Sequence, residues 1–261
     1  MSIQWSITWL NQTDSTNSEL ARLPDKKEGS VIAAFTQSGG YGRQSREWFS
    51  EQGGLYFSFI ICPPKTVNIL SLLAGVAFKE AFDNKNIFLK WPNDLIMNNH
   101  KLGGILVESS YQGNNPVYYI IGCGINLNQE KFPPHLQHAT SLFLETNKKY
   151  DLKEMLVNCL KCFNYRYEQY LQKGADEILN IYKVYSNTLN RKVVVSTPQG
   201  EFEGLAKNLT KDGFLILDTT KLSHSIDLKY SNYAEQDTKA NSIDKEVKVI
   251  TMGEILKLTA D

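Results

Sequence analysis

Two stretches decide the reading: Lys90-Trp91-Pro92-Asn93-Asp94-Leu95, and then Lys101-Leu102-Gly103-Gly104-Ile105-Leu106-Val107-Glu108. Proline fixes its own backbone and restrains the residue before it, so Trp91-Pro92 predicts a rigid, extended step out of a strand. Asn93 and Asp94 then stand at its end, placed to hold a phosphate, a metal or a nucleophile. A single carboxylate beside an amide suits a Mg²⁺ ion that keeps most of its waters and binds through substrate phosphates. An ordinary Asn-Asp turn is the plain alternative, and the adjacent Lys90 speaks against it. In the second stretch a lysine enters a strand through two glycines. Lys101 is therefore a candidate clamp for developing negative charge; the alternative is a glycine bulge beside an exposed lysine.

Upstream lies Gln37-Ser38-Gly39-Gly40-Tyr41-Gly42-Arg43-Gln44-Ser45-Arg46-Glu47-Trp48. Glycines let backbone N–H groups approach a ligand, and two arginines three apart can neutralise phosphate oxygens. The pattern suggests a clamp on a polyanion. It is not a phosphate-binding P-loop, and no G-x-G-x-x-G follows a strand. Downstream, Gly122-Cys123-Gly124-Ile125-Asn126 puts Gly-x-Gly inside a strand, a sign of close packing against a flat ligand or another backbone.

Around these motifs the sequence predicts strands at 3–10, 30–35, 54–62, 87–91, 94–97, 102–109 and 117–127. Helices are expected from Asp14-Ser15-Thr16-Asn17 to Leu23, over 67–83, over 151–171 behind the cap Asp151, and over 175–185. Residues 36–53 read as a long functional loop. From about Arg191 short strands at 192–196, 201–208, 213–217 and 222–229 suggest a small β-barrel. A polar linker at 236–245 and a final hairpin over 246–258 with Gly253 follow. The domains are expected at 1–186 and 187–261.

Lys+Arg and Asp+Glu both number 28, so the net charge is +0, which excludes a strongly basic nucleic-acid coat. A hydrophobic content of 42% excludes wholesale disorder. A chain of this size can bury roughly three quarters of its surface, enough for a real core. Cys62, Cys123, Cys159 and Cys162 are too few for a disulfide framework, so a reducing, cytoplasmic setting is expected. Cys159 and Cys162 are helical neighbours, and an inert pair is favoured over a metal site. The four histidines form no zinc pattern. No basic n-region opens the chain and no stretch is long enough to span a bilayer, so no membrane partner is expected.

In this order the motifs resemble the biotin–protein ligase family: Ser-Thr-Asn near the first helix, a Gly/Arg loop ending in Arg-x-Trp, KWPND, KLGGILVE and Gly-x-Gly-Ile-Asn. The likeness covers residues 15–128. It implies an α+β fold, a mixed sheet with flanking helices like that of class II synthetases, with a small Src-homology-3-like barrel behind it. It implies synthesis of biotinyl-5′-AMP from biotin and ATP with Mg²⁺, then transfer of biotin to one lysine of a carboxylase carrier domain. Ser15, Thr16, Asn17, Gln37, Tyr41, Gly42, Arg43, Lys101, Gly104, Gly122 and Gly124 would contact biotin. Arg46, Trp48, Lys90, Asn93 and Asn126 would meet the nucleotide. Lys101, Arg43 and Asp94 would carry the catalysis, with Asp94 orienting or deprotonating the acceptor lysine and lying near Mg²⁺ through the phosphates. The family's loop is often Gly-Arg-Gly-Arg-x-Gly-Arg; here Tyr41 replaces a basic residue and Ser45 a glycine. Rival readings are a lipoate- or octanoate-protein ligase or transferase of the same fold, and a non-catalytic biotin binder. Ser15-Thr16-Asn17 begins so near Met1 that a ligase without a preceding DNA-binding domain, monomeric or homodimeric, is expected.

Overall fold

The computed structural model describes residues 2–113, 115–219 and 247–258. The chain forms two compact units, Met1–Ser186 and Asn187–Asp261.

The first unit is built on a seven-stranded sheet. Its elements in chain order are β1 (Ser6–Thr13), α1 (Thr16–Arg22), β2 (Ser30–Gln37), β3 (Gly54–Ile61), α2 (Leu70–Ala81), β4 (Ile87–Lys90), β5 (Asp94–Met97), β6 (His100–Gln112), β7 (Asn115–Asn126), α3 (Leu142–Thr146), α4 (Leu152–Lys173) and α5 (Ala175–Tyr185). The strand order is β1-β2-β3-β7-β6-β5-β4. Only β1 and β2 run parallel, joined by the crossover helix α1; the other pairs are antiparallel. This is the expected mixed sheet.

Alternation along β3 sorts its two faces. Phe57 and Phe59 meet Phe78 of α2 and Phe163 of α4, with Phe59 and Phe163 edge-to-face at 4.7 Å. Both phenylalanines on β3 are fully buried. The amphipathic spacing of Leu73, Val76, Leu156 and Phe163 lays these long helices across that face. On the opposite face, among the described residues of this unit, short α1 packs its Leu20 on Ile32, Ile60 and Ile120. Beyond α1 no described helix of this unit packs on that face, and there the site lies.

Several expectations change in detail. Residues 91–93 are the turn of the β4–β5 hairpin rather than an extended step, because Lys90 pairs directly with Asp94; the Trp91–Pro92 bond is cis. Asp151 caps α4 as expected, accepting bonds from the Lys153 and Glu154 amides. The short helix α3 was not foreseen.

The second unit contains β8 (Lys192–Thr197), β9 (Gly200–Leu209), β10 (Leu215–Asp218), β11 (Val247–Ile250) and β12 (Glu254–Leu258), in the order β11-β10-β9-β8-β12. The expected strand 222–229 and linker 236–245 fall outside the described residues. Residues 247–258 do not form the expected hairpin: β11 pairs with β10 and β12 with β8, at opposite edges. Four interstrand spacings would separate those edges by roughly 19 Å in a flat sheet. The link from Ile250 to Glu254 reaches only about 14 Å, so the sheet must curl. A curled five-stranded antiparallel sheet is consistent with the small barrel the sequence suggested.

Candidate functional site

Three neighbouring strands supply the floor. The register sets Ser58 opposite Gly122 and Tyr56 opposite Gly124, while across β7 Leu106 faces Gly122 and Gly104 faces Gly124. Asp94 pairs with Gly104. All these residues therefore point to the uncovered face, and glycine at 104, 122 and 124 leaves room above the backbone. Other parts of the chain use that room. A Cβ on Gly122 would lie 2.1 Å from Asn17 Oδ1, and one on Gly124 only 2.3 Å from Trp48 Nε1.

At one end of the floor the start of α1 and the end of β2 meet. Because β1 and β2 are parallel, both chains leave the sheet at the same edge, and Ser38 and Gly39 donate to the Thr13 and Asp14 carbonyls. Ser15, Thr16 and Asn17 are all buried. Gln37 Oε1 accepts from the Thr16 amide at 2.8 Å, and Thr16 Oγ1 lies 2.7 Å from Ser58 Oγ. Ser58 in turn donates to Asn17 Oδ1, and Asn17 Nδ2 donates to Glu108 at 2.6 Å. The Tyr41 hydroxyl donates to the same carboxylate, 3.1 Å from Oε2 and 3.2 Å from Oε1. Burial, reinforced by the charge of Glu108, holds the Tyr41 phenol above its ordinary pKa. It therefore stays protonated and able to donate at neutral pH.

Cations and the indole gather at the other end. Lys101 Nζ pairs with Asp94 at 2.8 Å and sits 5.3 Å from the Trp48 ring centroid. The indole lies against Gly104 and Gly124, and its buried Nε1–H has no hydrogen-bond partner among the described residues. Arg43 Nη1 donates to Asn93 Oδ1 at 3.4 Å, while Asn93 Nδ2 donates to the Ile105 carbonyl. Buried Asn126 donates to the Thr140 carbonyl at 2.9 Å and accepts from Gln129, which also donates to Tyr56 Oη.

The predicted residues thus fall into two adjoining sets on one surface. Ser15, Thr16, Asn17, Gln37, Tyr41 and Gly122 form the first; Arg43, Trp48, Asn93, Asp94, Lys101, Gly104, Gly124 and Asn126 form the second. Gly42 lies on the loop between them, its amide bonded to the Arg46 carbonyl. Lys90 ends β4 beside Asp94. Arg46 is exposed, and one contact runs to Gln44 within its own loop. The sequence reading gave no role to Ser58 or Glu108. Ser58 had a signal, the one aliphatic hydroxyl in the apolar strand 54–62. Among the described residues no three His, Cys, Asp or Glu side chains gather as a metal cluster, and Cys159 and Cys162 both carry free thiols. The described residues include no helix long and apolar enough to cross a membrane.

A buried polar, hydrogen-bonding set beside cationic and aromatic side chains is a surface chemically suited to a small polar acid next to an anion. Comparison with known proteins agrees. The model of the biotin/lipoate A/B protein ligase family matches residues 7–126. The chain is 34% identical over 223 residues to the bifunctional ligase/repressor BirA of Bacillus subtilis, covering 81% of this chain and 68% of that protein. It is 28% identical to the biotin–acetyl-CoA-carboxylase ligase of Paracoccus denitrificans, covering 80% and 92% respectively. The solved biotin protein ligase of Aquifex aeolicus, in complex with biotin and ATP, superposes with a TM-score of 0.76 at 27% identity, covering 98% of this chain and 99% of that one. The chain belongs to the biotin–protein ligase family, whose members are ATP-dependent ligases.

Proposed function

We propose that this protein activates biotin with ATP and transfers it to a lysine of a biotin carboxyl carrier domain, and that it works in the cytoplasm. The observation that carries the reading is the convergence of Lys101, Arg43 and Trp48 beside the buried Ser15-Thr16-Asn17-Gln37 set, on a floor of three glycines. The polar set suits the ureido ring of biotin: Thr16, Ser58 and Asn17 offer both donors and acceptors in a buried setting. The carboxylate of the bound acid then points toward Lys101.

In the first step a carboxylate oxygen attacks the α-phosphorus of ATP, a P–O bond forms, and pyrophosphate leaves. Two anions must be brought together, so position and cations matter more than a covalent nucleophile. Lys101 and Arg43 supply the charge, Lys90 and Arg46 stand near the phosphates' path, and Trp48, Asn93 and Asn126 hold the nucleotide. In the second step the acceptor amine attacks the carbonyl carbon of the mixed anhydride, AMP leaves with the C–O bond electrons, and the amine loses a proton. Asp94 orients or receives it. The protein's own donors do not fit a resident Mg²⁺: the one nearby carboxylate, Asp94, is already paired with Lys101. Any Mg²⁺ would enter with the phosphates. Gly42, Gly104, Gly122 and Gly124 provide backbone walls.

The test is direct. The purified protein is incubated with biotin, ATP, Mg²⁺ and a carrier domain, and intact mass is measured on the carrier, with lipoate as the competing acid. Mass gain of one biotin supports the proposal; gain with lipoate only, or none, refutes it.

A further inference from the structure

The loop between β2 and β3 is fastened at two points, and both fastenings run through the same set of side chains. At its far end, Gln37 Nε2 donates to Ser50 Oγ at 2.9 Å, and Ser50 Oγ donates to the Trp48 carbonyl. At its tip, Tyr41 donates to Glu108. Between these points the bonds are continuous: Gln37 to Thr16, Thr16 to Ser58, Ser58 to Asn17, Asn17 to Glu108. Donor counting gives the chain a direction. Ser58 spends its one proton on Asn17 Oδ1, so the short contact with Thr16 must be a Thr16 donation. From the Thr16 hydroxyl onward each proton points toward the Glu108 carboxylate, where the tip of the loop also ends, while the Thr16 amide donates the other way, to Gln37 Oε1.

We infer that Tyr41 is a positioning residue, which latches the tip of the 38–50 loop to Glu108 and so makes closure of the loop depend on the state of Asn17. The inference rests on the biotin-binding reading of Asn17 and goes beyond it, since it ties that subsite to the loop through one carboxylate. Charge-assisted bonds to a half-buried carboxylate are stronger than neutral ones. The geometry around the latch leaves it free to open. Tyr41 is only partly buried, and a cavity of about 350 Å³ lies beside it, also lined by Ser18, Arg22, Ser109 and Tyr118. Arg22 is occupied by Asp14 and Glu19, so it does not compete for Glu108.

The experiment uses the full chain with Tyr41→Phe, Glu108→Gln and the double variant. Limited proteolysis of the loop is followed first without any substrate. Loss of one bond to a charged acceptor speeds cleavage by about tenfold in each single variant. The double variant is cleaved no faster than the worse single one, because both remove the same link. With substrates, Tyr41→Phe raises the KM for biotin, and biotin no longer slows loop cleavage. A merely structural role would leave the slowing of loop cleavage by biotin intact. Cleavage of Tyr41→Phe at the parent rate, or additive effects in the double variant, overturns the inference. Calorimetry of the parent protein with biotin keeps the two readings apart: absence of binding refutes the biotin subsite, while the substrate-free cleavage rates still judge the latch.

Discussion

Gly122→Ala isolates the reasoning about the site floor. A Cβ there would stand 2.1 Å from Asn17 Oδ1, 2.9 Å from its Cγ and 3.1 Å from its Nδ2. Gly122 lies between Ser58 and Leu106 in the middle of the sheet, so its backbone cannot yield without breaking register. The Asn17 amide must therefore retreat by more than about 1 Å to regain ordinary carbon–oxygen contact. That movement breaks its 2.6 Å bond to Glu108 and its bond from the fully buried Ser58 hydroxyl, which keeps Thr16 as a partner. A bond to a charged group is worth about 1.5–3 kcal/mol, and a neutral one about 0.5–1.5 kcal/mol. A combined loss of about 2–4 kcal/mol lowers the melting temperature by roughly 4–16 °C in a unit of this size. Biotin affinity falls by roughly 10–100-fold, since each 1.4 kcal/mol of lost contact is tenfold. Thermal melting and titration calorimetry measure the two effects. The sharper assay is a double-mutant cycle. Once Asn17→Ala has removed the clashing amide, adding Gly122→Ala should cost less than about 0.5 kcal/mol. A melting temperature for Gly122→Ala within about 2 °C of the parent, or full additivity in the cycle, would refute the account.

Other outcomes follow from the same geometry. Asp94→Ala should depress transfer to the carrier more than pyrophosphate release, measured side by side; equal loss of both removes Asp94 from the second step. Its effect on stability should stay within about 1 kcal/mol, because the Lys101 partner is 41% exposed and solvent screens the pair. Biotin plus ATP should protect residues 38–50 from protease, since closure shields a reactive anhydride from water; unchanged cleavage contradicts that role. Burial raises the thiol pKa of both Cys123 and Cys159, which lowers their thiolate fraction at neutral pH. Alkylation of the native protein should therefore start at exposed Cys62 and reach those two only on unfolding. Mass mapping that finds Cys159 modified first would contradict the packing of α4.

The sequence carried the strand and helix pattern because each element had its own period and its own stops. The apolar alternation and the Asp151 cap marked elements that needed no distant partner to be recognised. The motif residues were legible as a set for the same reason: their glycines and charges have no use in an ordinary strand. What was hidden depended on pairing. Nothing local says that Val247–Ile250 and Glu254–Leu258 belong to opposite edges of a sheet, since adjacent short strands with a glycine between them read as a hairpin. Likewise the Trp91-Pro92 step became a turn only because Lys90 found Asp94 across it. Glu108 stood in plain view at the end of its motif, yet its use rests on partners 91 and 67 residues away, Asn17 and Tyr41. The glycines at 122 and 124 were read as room for a ligand or a backbone; the structure shows that Asn17 and Trp48 also claim that room.

One parallel pair of strands in an otherwise antiparallel sheet also has an engineering meaning. Because β1 and β2 point the same way, the start of α1 and the start of the 38–50 segment are delivered to one edge, and the segment returns through β3 without altering any strand register. Away from Tyr41, Arg43 and Trp48, which reach into the site, the segment is an excursion that the strand pairing does not depend on. Its length and composition can be redesigned, between the fixed anchors Gln37 and Ser50, while the glycine floor and the buried polar set stay where the sheet holds them.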